Sequence, residues 1–124
     1  MILAIDFGLK KIGLAISEGL MASPLAVLPN NEHFIYNLTQ KLSEKPETIL
    51  IGRPSYLSYQ EQYSKFVRDM EAHFQTKLIY VDEDYSTLES KSLLKRADLT
   101  RKKRREDNAQ SATIILERYL DSLT

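Results

Sequence analysis

Apolar residues come first in short unbroken runs and later in stripes, a pattern that predicts strands early in the chain and alternating helices and strands afterwards. Ile2 to Ile5 is a continuous apolar run, as expected of a strand buried on both faces. It stops at Asp6 and Gly8, and Ile12 to Ile16 reads as the return strand of a hairpin. Ser23 to Leu28 predicts a third short strand, which Pro24 assigns to a sheet edge. Pro29, Asn30 and Asn31 punctuate the chain, with an asparagine placed to cap the next element. Phe34, Ile35, Leu38 and Leu42 then recur at helical spacing, predicting a helix over 31–44 that Pro46 ends. Thr48 to Gly52 is a fourth strand, closed by Arg53-Pro54. A second helix carries Tyr59, Tyr63, Phe66, Val67, Met70 and Phe74 on one stripe. Leu78 to Val81 is a fifth strand and runs into Asp82, Glu83 and Asp84. Ser86 and Glu89 have capping-box spacing, so a helix should begin near Thr87. The last helix, 108–122, should bury Ala109, Ala112, Ile115, Leu116, Tyr119, Leu120 and Leu123.

Strands one to three are joined by short turns and should form an antiparallel meander. Strands four and five arrive through helices and should run parallel to strand one. The expected fold class is therefore α/β: a mixed five-stranded sheet flanked by helices. In such a sheet strands one, four and five end on one edge, so Asp6 shares that edge with Gly52 and with the Asp82–Asp84 cluster. Carboxylates from separate strand ends suit a hard divalent cation, which takes oxygen ligands. A pair of such ions can clamp the attacking and leaving oxygens of a phosphodiester. The alternative role for Asp6 is to open the turn, a common use of aspartate.

Composition narrows the class further. A 124-residue chain, 43% hydrophobic and 27% charged, is expected to form one soluble domain over 1–124. Without cysteine there is neither a disulfide framework nor a thiolate metal site. No basic region precedes the first apolar run and no run is long enough to span a membrane, so a cytoplasmic location is expected. His33 and His73 lack a partner histidine at metal-ligand spacing and are read as structural.

A net charge of zero conceals a marked asymmetry. Lys91, Lys95, Arg96, Arg101, Lys102, Lys103, Arg104 and Arg105 face one acid, Asp98, within 91–105, a net +7 that leaves −7 elsewhere. Such a block is either a solvated face or an anion-binding patch, most often for nucleic acid.

Four motifs in order resemble one family: Asp6-Phe7-Gly8-Leu9-Lys10-Lys11-Ile12-Gly13, Ile51-Gly52-Arg53-Pro54, Asp82-Glu83-Asp84-Tyr85-Ser86-Thr87, and Ala112-Thr113-Ile114-Ile115-Leu116 with Tyr119-Leu120. They are similar to the YqgF (RuvX)-type nucleases of the ribonuclease H-like superfamily, described as Holliday-junction-resolvase-like proteins or pre-16S ribosomal RNA nucleases. The resemblance implies a single ribonuclease H-like domain that hydrolyses phosphodiesters with Mg²⁺ (or Mn²⁺). It implies pre-16S rRNA or a pre-ribosomal particle as partner, with cleavage at the rRNA 5′ end, and branched DNA as the other substrate. Matched by position, the metal-site residues are Asp6 and Glu83, with Asp82 beside it. A third acid belongs at the start of the last helix. Lys10, Lys11, Arg53 and the basic residues Lys95, Arg96, Arg101, Lys102, Lys103, Arg104 and Arg105 would then hold phosphates.

The chain departs from the family pattern at identifiable places. Asp84 stands where the family has Arg, Arg53 where it has Leu, and the glycine-containing loop is missing from Ser55 to Glu61. The family's helix aspartate aligns with Asn108, and the acid here is its neighbour Asp107. At about 100° per residue Asn108 borders the apolar stripe and Asp107 points nearly opposite it. Asp107 with Gln110 also has capping-box spacing. Asn108 could supply a neutral carbonyl ligand. These departures keep a second function open, a nucleic-acid-binding protein whose chemistry has decayed. ATP hydrolysis in the actin-like manner, from Asp6-x-Gly8, would require a second lobe that 124 residues do not provide.

Overall fold

A computed structural model describes residues 1–53, 60–82 and 107–123, with Arg53, Asp82, Asp107 and Asn108 described by backbone alone. The strands are β1 (Ile2–Asp6), β2 (Lys11–Ser17), β3 (Ser23–Pro29), β4 (Thr48–Arg53) and β5 (Leu78–Asp82). The helices among the described residues are α1 (Phe34–Lys41), α2 (Gln60–Phe74) and α3 (Asp107–Ser122). The helix expected near Thr87 lies outside the described residues.

The sheet order is β3-β2-β1-β4-β5. β1 pairs antiparallel with β2 and parallel with β4, and β5 runs parallel to β4. The expected meander and both crossovers are present, and β1 is central. Pro24 does lie on an edge strand, next to a register shift opposite Leu14/Ala15, where its missing N–H disrupts no continuous ladder.

Strand alternation sorts the side chains onto two faces. On one, Leu3, Ile5 and Phe7 join Ile12, Leu14, Ile49 and Ile51 in a core completed by Phe34 and Leu38 of α1 and by Tyr63, Phe66, Val67, Met70 and Phe74 of α2. On the other, Ala4, Ala15 and Leu50 meet Ala112, Ile115 and Leu116 of α3. Ala4 pairs with Ala15 and with Leu50, so two alanines lie side by side with a leucine in the middle row beneath the helix.

Four expectations need correction. α1 spans eight residues instead of the expected 31–44. Asn31 Oδ1 accepts a hydrogen bond from His33 N at 2.9 Å, a local turn that competes with the helix. At its other end Leu42 is already extended. The helix N-cap is His33, with no side-chain cap, so neither asparagine has the expected capping role. Leu123, expected in the buried stripe, is 63% exposed. The helix stops at Ser122, and Leu123 N donates to Leu120 O in the closing turn. α3 also begins at Asp107, so this residue is inside the helix, one position past the cap that the box with Gln110 requires.

Gln75 ends α2 in the left-handed region, with φ 52°. Glycine adopts that conformation without the Cβ clash, which costs other residues about 1–2 kcal/mol. After the entropy glycine gains in the unfolded chain, Gln75→Gly should still stabilise by about 0.5–1 kcal/mol, read as a higher urea midpoint.

Candidate active site

Asp6 ends the central strand, and its orientation follows from its neighbours. Ile5 and Phe7 are buried on the α1/α2 face. The Phe7 ring lies 5.6 Å from Tyr63, edge-on, and 5.0 Å from Phe66. With both neighbours anchored there, alternation turns Asp6 to the α3 face. Asp6 is 5% exposed. A carboxylate buried that deeply requires compensation from cations or hydrogen-bond donors.

The flanking strands leave its sides bare. Asp6 pairs with Gly13 on β2. On β4, Ile51 pairs with Ile5, so the next residue, Gly52, continues the row beside Asp6. Neither neighbour brings a side chain. Gly52 in turn pairs with Val81, which packs on the α3 face. The sequence pattern marks Gly13 and Gly52 only as small residues in apolar runs. Their place beside the acid emerges once hairpin and crossover registers are fixed.

Lys11 begins β2 two residues before Gly13, on the same face as Asp6, and is exposed. Lys10 is exposed in the preceding turn. That turn is tied to the β3–α1 connection: Asn30 Nδ2 donates to Gly8 O at 2.8 Å and Asn30 N to Lys10 O at 2.9 Å. Arg53 and Asp82 are register partners at the ends of β4 and β5, on the strand-end edge of Asp6. Asp107 and Asn108 open α3, which covers the Asp6 face of β1, β2 and β4. Asn108 stands one helical turn before the buried Ala112.

Asp6, Arg53 and Asp82 thus share an edge, with Lys10 and Lys11 at its start. Glu83, Lys95, Arg96, Arg101, Lys102, Lys103, Arg104 and Arg105 lie outside the described residues. Among the described residues no three His, Cys, Asp or Glu side chains cluster as a metal site. Asp6 is the one expected metal ligand whose side chain is described. Its hard oxygen atoms suit Mg²⁺ or Mn²⁺, and the glycines leave no neighbouring strand side chain to compete. Among the described residues, no helix is long and apolar enough to cross a membrane.

A mixed sheet in the order β3-β2-β1-β4-β5 with helices on both faces is a ribonuclease H-like fold, and here an acid closes its central strand. The RuvX family profile, described as Holliday junction resolvase, matches residues 1–122, and the chain belongs to that family. It is 35% identical over 136 residues to a protein of Sulfurihydrogenibium sp. named "Putative pre-16S rRNA nuclease", covering 99% of this chain and 91% of the relative. Relatives of the same name occur in Bordetella pertussis, at 35% identity over 134 residues, and in Dictyoglomus turgidum, at 34%; each match covers 99% of this chain and 95% of the relative. The fold is also that of the resolvase in the crystal structure of Fowlpox virus resolvase with its substrate Holliday junction DNA. That similarity has a TM-score of 0.57 at 14% identity and covers 98% of this chain and 97% of the other.

Proposed function

We propose that this chain is a Mg²⁺-dependent nuclease that hydrolyses phosphodiester bonds in structured nucleic acid, and that its task is maturation of the 5′ end of pre-16S rRNA. The observation that carries the reading is Asp6: a buried carboxylate at the end of the central strand, bordered by glycines and with Lys11 on its face. Asp6 and Glu83, with Asp82, would hold the metal, and Asp107 or Asn108 would complete the set from α3. Asn108 supports the third position through its register with the buried stripe, since it precedes Ala112 by one turn. Bound there, Mg²⁺ or Mn²⁺ would supply charge stabilisation and a water nucleophile at neutral pH. The chain's own residues bind and orient. Lys10, Lys11, Arg53 and the basic segment 91–105 would take the phosphates on either side of the scissile one. The relatives' name supports the rRNA substrate, and the family description supports branched DNA as the alternative.

Lys11→Ala should weaken substrate binding uniformly across sequences and reduce the slope of log K against log salt by about 1, measured by fluorescence anisotropy. The substrate itself is tested by a cleavage panel of precursor rRNA, a four-way DNA junction and single strands, in Mg²⁺. Discrete cleavage near the mature 5′ end of the rRNA is expected. Junction cleavage with the rRNA left intact would move the reading to DNA.

Asn108 and Asp84, both departures from the family pattern, motivate the second reading, a binding protein with decayed chemistry. It requires tight, salt-sensitive binding without cleavage in Mg²⁺ or Mn²⁺. Under it, Asn108→Asp restores cleavage that the native chain lacks. Vigorous cleavage by the native chain rejects it.

A further inference from the structure

Asn30 does not cap α1; its side chain grips the turn that follows Asp6. β1 makes its last strand pairs at Ile5 with Ile51 and at Asp6 with Gly13, whereas β2 and β3 stay paired as far as Lys11 and Pro29. Residues 7–10, between Asp6 and Lys11, belong to no strand. Phe7 is anchored in the aromatic core, but Leu9 and Lys10 are exposed, so burial of their side chains does not fix the turn. Two hydrogen bonds from one residue reach it. Asn30 Nδ2 donates to Gly8 O at 2.8 Å and Asn30 N to Lys10 O at 2.9 Å, so Asn30 holds the turn on both sides of Leu9.

Asn30 is itself held from both sides. Pro29 before it closes β3, and Asn31 after it forms a turn in which Oδ1 accepts from His33 N at 2.9 Å and the main-chain oxygen from Phe34 N at 3.1 Å. The Asn30 side chain is half-buried, where less water competes for the Gly8 carbonyl. Its two bonds respond differently to substitution. The main-chain bond to Lys10 O survives any residue except proline, which has no N–H. The amide bond to Gly8 O needs the asparagine side chain. Asn30→Ala therefore removes one bond and leaves the turn tied at Phe7 and at Lys10 O.

We infer that Asn30 is a positioning residue of the candidate site: through the Gly8 carbonyl it holds the turn so that Lys10 meets a phosphate of the strand bound at Asp6. The assignment rests on the nuclease reading above, in which Lys10 takes a phosphate. Lys11 does not depend on this bond, since it lies in β2 and is paired with Pro29. A loosened turn has to be ordered when the substrate docks, and fixing backbone that was free lowers affinity. Once docked, Lys10 still neutralises its phosphate. Loss of the Asn30 amide thus lowers affinity without changing how many counterions binding releases.

The test is fluorescence anisotropy in EDTA with a labelled precursor rRNA spanning the mature 5′ end. It compares the native full chain with Asn30→Ala, Lys10→Ala, Lys11→Ala and the two double variants that contain Asn30→Ala. Asn30→Ala should weaken binding about fivefold, the worth of one net hydrogen bond, with the slope of log K against log salt unchanged. Lys10→Ala should lower that slope by about 1. Adding Asn30→Ala to Lys10→Ala should change affinity by less than about twofold, the limit of additivity between independent sites. Adding it to Lys11→Ala should give the same loss as in the native chain. A residue that only supports the fold would weaken binding alike in all three backgrounds. That equal loss, or no loss in Asn30→Ala, overturns the inference. Asn30→Leu, close in shape and without the donor, should repeat the pattern and replaces Asn30→Ala if urea unfolding shows that variant to be unfolded. Failure of the nuclease reading registers separately, as absence of cleavage by the native chain in Mg²⁺. Coupling of Asn30 to Lys10 in that case would keep Asn30 as a positioning residue for binding, and cleavage without coupling would do the reverse.

Discussion

Asp6→Asn is expected to lower Mg²⁺-dependent phosphodiester cleavage on the order of 10³-fold, because a metal site supplies several kcal/mol of transition-state stabilisation that loss of a ligand charge forfeits. The substitution keeps the shape of the side chain and removes its charge and one strong metal-binding oxygen. Thermal unfolding separates this from a folding defect. Mg²⁺ should raise the melting temperature of the native chain, since a ligand that binds only the folded state stabilises it by mass action. The same addition should leave Asp6→Asn unmoved. A variant that lost activity yet kept the Mg²⁺ shift would place the metal elsewhere.

The second large effect belongs to a residue with no chemistry of its own. Phe7→Ala should cost about 3–5 kcal/mol of stability, the usual range for deleting a buried aromatic side chain. Phe7 is 3% exposed and touches the rings of both Tyr63 and Phe66. Those contacts also hold the residue next to Asp6, so the alternation that aims the carboxylate at the α3 face depends on them. Urea unfolding measures the stability loss. Where the variant remains folded, at low temperature, cleavage should fall further than the folded fraction does. Phe7→Leu, which refills much of the cavity, should recover most of both. If Phe7→Ala cost no more than a surface substitution, the anchoring account of Asp6 would be wrong.

The sheet was legible because its strands are short apolar runs between clear turn residues, and because connection length alone separates hairpins from crossovers. Ile2–Ile5 and Thr48–Gly52 read as buried strands from their short apolar runs, and Pro24 favoured an edge position. The ends of α1 were not legible. Whether Asn31 caps a helix or makes its own turn depends on one side-chain hydrogen bond, and both outcomes use the same residue. The exposure of Leu123 was not legible either, because the apolar periodicity continues one residue past the end of α3 at Ser122.

At the site, Asp6 stood out as an acid terminating an apolar run, and its edge neighbours followed from strand order. Gly13 and Gly52 did not stand out as companions of Asp6, because their meaning lies in cross-strand register and not in local pattern.

The measurement that reaches the central claim most directly is cleavage of a precursor rRNA spanning the mature 5′ end, by native and Asp6→Asn protein, across a Mg²⁺ titration and in EDTA. Discrete products from the native protein that require Mg²⁺ and disappear with Asp6→Asn are the predicted result. Cleavage that persists in EDTA, or that Asp6→Asn leaves intact, would contradict it.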